Sequence, residues 1–365
     1  MKNIFYLLVV FLVLFSCDSD DDVIIEPFVP FQPTAFTLQI PQYFADKLPA
    51  PVIPNDNPFT VEGIALGRKL FYDPILSGDS TQSCASCHNL ENALTDNNLQ
   101  FSIGIDGIEG SRNAMPIFNL AWNIEDKFFW DGRSIGLEGQ AEQPVIDPVE
   151  MHNTWQNAVV DLKNSTEYQE LFNKAFPEQT DIDTEITKEL TTKAIAQFER
   201  TIISSNSKFD KFVNGEVSLT ANELEGMSIF NDERGDCFHC HGVGNNNPLF
   251  TDNRFRNNGL DTVFSDIGLE MVTDNPQDKG KFKTPSLRNL IFTAPYMHDG
   301  RFATLDEVIN HYSEGVVISP TIDSQMLFAD QGGTQMTSIE KAQLKAFLLT
   351  LTDNEFTTNP AYQAP

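Results

Sequence analysis

The sequence has few cysteines and few positively charged residues. Five of its 365 residues are cysteine, and 24 Lys and Arg stand against 52 Asp and Glu, which gives a formal net charge of −28. A disulfide-stapled scaffold is excluded, because a chain of this length that is 41% hydrophobic can bury an ordinary core. The negative charge repels nucleic acid and anionic lipid headgroups, so we expect neither as a partner.

The N-terminal apolar run is too short to cross a membrane comfortably. It covers residues 4–15, follows Lys2 and has the length of a signal-peptide core. The run leads into a Leu-Phe-Ser-Cys segment that resembles a bacterial lipobox and ends at Cys17. We therefore expect residues 1–17 to be a lipoprotein signal peptide with Cys17 lipidated. This places the protein in the periplasm or cell envelope, with the lipid as its only membrane attachment; a non-lipidated signal peptide is the alternative.

An acidic and proline-rich segment follows the signal peptide. Residues 18–58 start with four aspartates among five residues and contain repeated prolines without helical or strand periodicity. Such a composition predicts an extended tether rather than a folded module.

Four of the five cysteines belong to two Cys-x-x-Cys-His segments. Each cysteine pair can form thioether bonds to haem vinyl groups, and the adjacent histidine can ligate the iron. The sequence therefore predicts two covalently bound haem c groups, attached through Cys84, Cys87 and His88 and through Cys237, Cys240 and His241. The alternative is one zinc ion shared by two knuckles, but zinc ribbons hold their knuckles roughly 15–20 residues apart and need no adjacent histidine.

Helix signals surround both haem motifs, and strand alternation is not sustained anywhere from Phe59 onward. Thr60 is placed to cap a helix that ends at Asp73, and an apolar stripe over residues 186–202 predicts another helix. Three Thr-x-x-Glu capping boxes predict further helix starts at Thr220, Thr304 and Thr337.

A weak internal repeat links the two halves of the chain. Each haem motif follows a helix whose end carries a phenylalanine, Phe71 in the first half and Phe230 in the second. The polar segment 204–217 lies between the halves. We predict a mainly α fold with two cytochrome c-like haem domains and long loops, one over residues 59–215 and one over residues 216–365.

Five segments resemble signature sequences of the bacterial di-haem cytochrome c peroxidases. They are 66–74, 129–133, 196–201, 284–289 and 296–300, and the resemblance covers about residues 59–350. It implies that hydrogen peroxide is reduced to water at the N-terminal haem, while electrons enter at the C-terminal haem from a small cytochrome c or a cupredoxin. It also implies a homodimer.

The chain departs from the typical family member at the N-terminal iron. A distal histidine usually follows a Ser-Ile-Gly segment there, whereas this chain has Ile105. Isoleucine has no lone pair to donate, so we predict an open iron. His152 has no motif assignment, and for this residue both simple exposure and ligation stay open.

A second departure concerns the C-terminal iron. Its candidate sixth ligands are Met271, Met297, Met326, Met336, His298, His311 and Tyr312. The usual family member has a ligating methionine fourteen residues after the position of His298, and here that place is taken by Tyr312. With a tyrosine at this position the chain resembles the MauG-type branch of the family. A phenolate ligand favours ferric iron. The alternative has Tyr312 in ordinary helix packing and His311 or Met326 on the iron.

The resemblance also implies roles for residues around the N-terminal haem. Glu150 matches the family's catalytic glutamate and Gln140 a neighbouring polar residue, and a carboxylate in an apolar pocket can move the proton that cleavage of peroxide requires. Trp130 matches a charge relay between the haems, although such a tryptophan is often simply part of a core. A structural calcium ion is implied at Asn113, Thr293 and Pro295, where ordinary loop roles are the alternative.

Two other functions stay open. The departures at Ile105 and Tyr312 resemble an oxidase that uses high-valent haem to modify a partner protein. A di-haem electron carrier without chemistry at either iron is the third possibility.

Overall fold

The computed structural model describes residues 31–177, 183–242 and 246–365. The predicted signal peptide, Cys17 and the first part of the predicted tether lie outside these residues. The described chain forms thirteen α-helices, α1 to α13, which in order are Gln42–Lys47, Val61–Tyr72, Cys84–Cys87, Gly136–Ile146, Trp155–Asn164, Thr166–Ala175, Lys188–Thr201, Lys208–Val213, Ala221–Phe230, Phe238–His241, Glu270–Thr273, Leu305–Asn310 and Ser338–Leu349.

The described residues contain little β-structure. Four two-residue strands, β1 to β4, form two antiparallel pairs and are Lys127–Phe128, Ser134–Ile135, Phe255–Arg256 and Phe282–Lys283. The prediction of a mainly α fold is therefore confirmed. None of the helices in the described ranges is both long and apolar enough to span a membrane.

The predicted helix starts are confirmed by their caps. The Thr60 hydroxyl accepts a hydrogen bond from the backbone N–H of Gly63, and α2 ends at Tyr72, just before Asp73. The three predicted capping boxes are all formed, at the N-termini of α9, α12 and α13. The helix predicted from residue 186 begins slightly later, at Lys188, because the Thr187 side chain caps the Leu190 N–H.

The weak internal repeat corresponds to two similar helix crossings. Helix α2 precedes the first haem motif and packs on α7, while α9 precedes the second and packs on α13. A Cβ atom on Gly67 would lie 1.9 Å from the Ala194 carbonyl oxygen, and one on Gly226 would lie 1.9 Å from that of Gln343. Both crossings are thus so close that only glycine fits. The domain boundaries remain a prediction.

Parts of the proline-rich segment and of the polar segment 204–217 pack into the core. Residues 42–47 form α1, and its Tyr43 and Phe44 are buried in the apolar core around α9 and α13. Aromatic burial therefore holds this part of the proline-rich segment against the body of the protein. Within 204–217, helix α8 contributes Asp210, which is buried and forms an ion pair with the equally buried Arg288.

Candidate functional site

Both Cys-x-x-Cys-His segments form a single tight turn. Cys84–Cys87 is α3, at whose start the Ser86 hydroxyl accepts a hydrogen bond of 3.0 Å from the Ser83 backbone N–H, and Phe238–His241 is α10. One helical turn brings the two cysteines of each motif to the same side as the following histidine. None of the four cysteines in the described ranges forms a disulfide, so all of them can bond to haem.

The two motif histidines are held in the same way. Nδ1 of His88 lies 2.9 Å from the Leu94 carbonyl oxygen, and Nδ1 of His241 lies 2.9 Å from that of Phe250. A carbonyl oxygen can only accept, so Nδ1 carries the hydrogen and Nε2 keeps its lone pair for iron. Burial lowers the pKa of both imidazoles and keeps them neutral, as ligation requires.

A largely apolar cavity, called the C-terminal cavity below, lies beside the second haem motif. Cys237, Cys240 and His241 line it, and so does Arg256. The Nε of Arg256 is buried and has no hydrogen-bond partner among the described residues. A haem propionate would supply the missing acceptor, so the residues around this cavity fit a covalently bound haem.

Tyr312 lines the same cavity. It lies in a π-helical turn over His311–Gly315, and its hydroxyl accepts a hydrogen bond of 3.0 Å from Nδ2 of Asn258. Burial raises the pKa of the phenol, and the hydrogen bond from Asn258 opposes that rise. The described protein residues leave the phenol neutral, so a metal ion would have to displace its proton.

The structure narrows the other candidate ligands of the second iron. His311 donates from Nε2 to the Asn258 carbonyl oxygen at 3.1 Å, Met336 is packed in the core, and Met271 is 62% exposed. Three candidates share the cavity with Tyr312, namely Met297, His298 and Met326. Ligation by Tyr312 therefore remains a prediction against three alternatives.

Glu150 lies beside Ile105 and close enough to the first haem motif for its charge to help raise the pKa of the Cys84 and Cys87 thiols. The Ile105 N–H donates to the Glu150 carbonyl oxygen at 3.0 Å, which joins the segment of the missing distal histidine to the predicted catalytic residue. Desolvation, followed by the charge of Asp147, raises the pKa of Glu150 to about 7, while Arg133 opposes the rise. A carboxyl with this pKa can accept and release a proton near neutral pH.

Gln140 and His152 have different surroundings. Gln140 lies in α4, and its Oε1 is buried without a hydrogen-bond partner in the part of the chain that the structure describes. Such an atom is available to a bound molecule. The His152 side chain is 53% exposed and pairs through Nδ1 with Asp106, which favours the exposed alternative over ligation.

Trp130 and the predicted calcium residues lie on the wall of the C-terminal cavity. Trp130 is 8% exposed, and its Nε1 donates to the Asn113 carbonyl oxygen at 2.7 Å. Asn113, Thr293 and Pro295 line the cavity together with Trp130. The fold thus brings these four residues to one place, whereas their roles stay predictions.

Glu199 and Lys283, two buried ionisable residues near the predicted sites, were not singled out from the sequence. Glu199 is 2% exposed, its Oε2 has no partner among the described residues, and desolvation raises its pKa to about 8. Lys283 borders the C-terminal cavity, and desolvation lowers its pKa to about 7. Glu199 had a signal, because it interrupts the buried face of α7, whereas nothing local in the sequence marks Lys283 as buried.

Comparison with known proteins identifies the family. The model of the di-haem cytochrome c peroxidase family matches residues 61–218. The methylamine utilization protein MauG of Methylorubrum extorquens is 35% identical over 301 residues, which cover 82% of this chain and 80% of that protein. The cytochrome c551 peroxidase of Nitrosomonas europaea is 38% identical over 249 residues, covering 67% of this chain and 70% of that protein.

A solved structure agrees with these relatives. The crystal structure of a MauG-like protein associated with microbial copper homeostasis matches with a TM-score of 0.80 and 35% identity, covering 91% of this chain and 99% of the other. The chain therefore belongs to the di-haem cytochrome c peroxidase family, whose members carry two haem c groups.

Proposed function

We propose that this protein is a di-haem c-type peroxidase that reduces hydrogen peroxide to water with electrons from a small redox protein. The observation that carries the proposal is Glu150, a carboxyl with a pKa raised to about 7 that is joined to Ile105 beside the first haem motif. Family members named cytochrome c peroxidase support the reaction type.

The residues near the first motif would perform the proton chemistry. When bound, the haems supply the iron that holds peroxide and the electrons that reduce it. Glu150, as a carboxylate, takes the proton from one peroxide oxygen and returns it to the other, which leaves as water. Two electrons and two protons convert one peroxide into two water molecules. Gln140 offers its buried, unpartnered Oε1 to orient the substrate.

Electrons would enter near the second motif and pass through Trp130. Its burial and its hydrogen bond to the Asn113 carbonyl support a fixed indole beside the C-terminal cavity. The net charge of −28 favours a donor with a positive surface, such as a small cytochrome c or a cupredoxin. The proposal also places a calcium ion at Asn113, Thr293 and Pro295. It further comprises two haem domains in each chain, a homodimer, and a periplasmic location with a lipid anchor on Cys17.

Steady-state turnover tests the peroxidase. Peroxide consumption is measured with several reduced cytochromes and cupredoxins, and we expect turnover with at least one cationic donor. Absence of turnover with every donor would contradict the proposal. A two-haem carrier would show no spectral change when the oxidised protein meets peroxide.

The open first iron has a separate test. Ile105 offers no ligand that must be displaced, so the fully oxidised protein should react with peroxide without prior reduction. The variant Ile105→His introduces a possible ligand and should make the reaction depend on partial reduction. A wild-type protein that reacts quickly only after partial reduction would contradict an open iron.

Tyr312 favours a second function, an oxidase that modifies residues of a partner protein. Its hydroxyl lines the C-terminal cavity and is held by Asn258, and the MauG proteins support the comparison. A tryptophan-containing peptide would be incubated with the oxidised protein and peroxide, and its mass measured. Peptide oxidation that is lost in Tyr312→Phe supports the oxidase, while an unchanged peptide contradicts it.

A further inference from the structure

A group of three potential metal ligands lies at the second haem motif and is not among the predicted ligands of either iron. Glu233 and Asp236 precede the motif, and His239 lies between its two cysteines. Their nearest carboxylate oxygens and imidazole nitrogen all lie within 4.8 Å of one another. We propose that Glu233, Asp236 and His239 bind a divalent first-row transition-metal ion such as Zn²⁺.

The contacts within the group resemble those of ligands more than those of a hydrogen-bonded pair. Nε2 of His239 lies 3.2 Å from Oδ1 of Asp236 and 3.5 Å from Oε2 of Glu233. Even so, Nε2 and the Asp236 Oδ1 are buried and form no hydrogen bond with any described residue. The imidazole edge and the carboxylate oxygen therefore approach each other without the alignment of a donor and an acceptor.

Burial makes the empty arrangement costly. The Asp236 side chain is only 9% exposed, and its Oδ1 has no hydrogen-bond partner in the described part of the chain. A buried polar atom without a partner costs roughly 1–3 kcal/mol. A cation held between Asp236 and His239 would satisfy both atoms with one contact each.

The ligand types select the class of metal. One imidazole nitrogen and two carboxylate oxygens suit Zn²⁺ and its divalent neighbours, whereas Ca²⁺ and Mg²⁺ prefer oxygen ligands alone. The Glu233 side chain is 55% exposed, so an ion could enter from solvent and keep water in a fourth position. The Phe238 ring lies 4.0 Å from the His239 ring between centroids and limits its rotation.

The site is separate from haem attachment. In the first motif the positions of Phe238 and His239 are taken by Ala85 and Ser86, so a motif of this kind does not need His239. Asp236 also borders the cavity predicted to hold the second haem. A divalent ion here would thus place positive charge beside that haem, and its binding does not depend on peroxidase activity.

Zinc binding to the complete haem-loaded protein tests the proposal. The protein is treated with a chelator, and Zn²⁺ is then titrated by calorimetry, with metal content measured relative to iron. We expect one Zn²⁺ for every two irons. Loss of an outer-shell partner alone weakens metal binding by about 10–100-fold, so His239→Ser, which copies the first motif, should weaken binding at least about 10-fold. Iron content and haem spectrum should stay unchanged.

A matched histidine variant controls for non-specific binding. His152 also pairs with a carboxylate, that of Asp106, but no third ligand of the searched types completes a cluster there in the described residues. His152→Ser should therefore leave Zn²⁺ affinity unchanged. Asp236→Asn should weaken binding as His239→Ser does.

X-ray absorption at the zinc edge gives a second readout. One nitrogen and two or more oxygens at about 2.0–2.2 Å are expected around the ion. Absence of stoichiometric Zn²⁺ binding, or binding that survives both His239→Ser and Asp236→Asn, would overturn the proposal and leave an imidazole–carboxylate ion pair only.

Discussion

The environment of Glu150 differs from that of an ordinary surface glutamate, because desolvation raises the pKa of its carboxyl to about 7. Glu150→Gln keeps the shape of the side chain but removes its ability to accept a proton. We expect the reaction of the oxidised protein with peroxide to slow by about 10²–10⁴-fold, the usual contribution of general base catalysis. Stopped-flow spectroscopy measures this rate.

The exposed Glu109, in the loop that follows Ile105, provides a matched control for this prediction. Glu109→Gln also replaces one carboxylate by an amide and should leave the rate close to that of the wild type. If both variants slow the reaction equally, the effect is one of overall charge and Glu150 is not the base.

The neighbours of Glu150 should set the pH dependence of the same reaction. The base acts as a carboxylate, so the rate should rise as pH increases through about 7. Asp147 raises this pKa and Arg133 lowers it. Asp147→Asn should therefore move the midpoint to lower pH and Arg133→Gln to higher pH. Rate profiles between pH 5 and 9 in steps of about 0.5 would reveal these opposite shifts, and shifts in the same direction would exclude Glu150 as the titrating group.

Tyr312 should control the potential of the C-terminal haem. A phenolate stabilises ferric iron, whereas a methionine thioether stabilises the ferrous state, so Tyr312→Met should raise the reduction potential by on the order of 0.1 V. A spectroelectrochemical titration of both haems measures it. If the potential of this haem is unchanged, another of the cavity residues, Met297, His298 or Met326, holds the iron.

Among the structural elements, the crossing of α2 and α7 determines where the first haem motif lies. A Cβ atom on Gly67 would overlap the Ala194 carbonyl oxygen, so Gly67→Ala must push the two helices apart. We expect a loss of about 1–3 kcal/mol of stability, typical of overpacking, seen as a lower melting temperature. At Gly110 the nearest atom would be 3.6 Å from the new Cβ, so Gly110→Ala is the control and should change little.

The charge of the whole molecule should govern the encounter with an electron donor. At a net charge of −28, attraction of a cationic donor weakens as salt screens it. We expect kcat/KM for a cationic cytochrome to fall by about tenfold or more between roughly 10 mM and 500 mM salt. The rate of the direct reaction with peroxide, a neutral molecule, should stay constant. If kcat/KM for the cationic donor does not change with salt concentration, the docking surface is uncharged.

Local signals in the sequence predicted much of this architecture correctly. The caps at Thr60, Thr220, Thr304 and Thr337 involve residues three positions apart, so short-range hydrogen bonding decides them. Helix α1 was missed because repeated prolines suggested an extended chain, while the burial of Tyr43 and Phe44 depends on a distant core. Long-range packing overrode the local composition there.

For the candidate site, too, some features could be predicted from the sequence and others could not. Residue type and spacing predicted the haem-attachment residues, and family resemblance pointed to Glu150, Tyr312 and the cavity residues around Trp130. The raised pKa of Glu150 and the burial of Glu199 could not be predicted, because desolvation comes from segments far apart in the chain.

The sequence by itself determined the chemistry that local spacing encodes, namely two haem motifs, the helix caps and a strongly negative charge. Only the tertiary structure decided which polar side chains are buried away from water and which of their acceptor and donor atoms lie close together. The unpartnered atoms of Asp236 and His239, and the opposite influences of Asp147 and Arg133 on Glu150, result from this. The hydration of a polar group and the orientation of its hydrogen-bonding atoms depend on neighbours in three dimensions, which the order of residues alone does not specify.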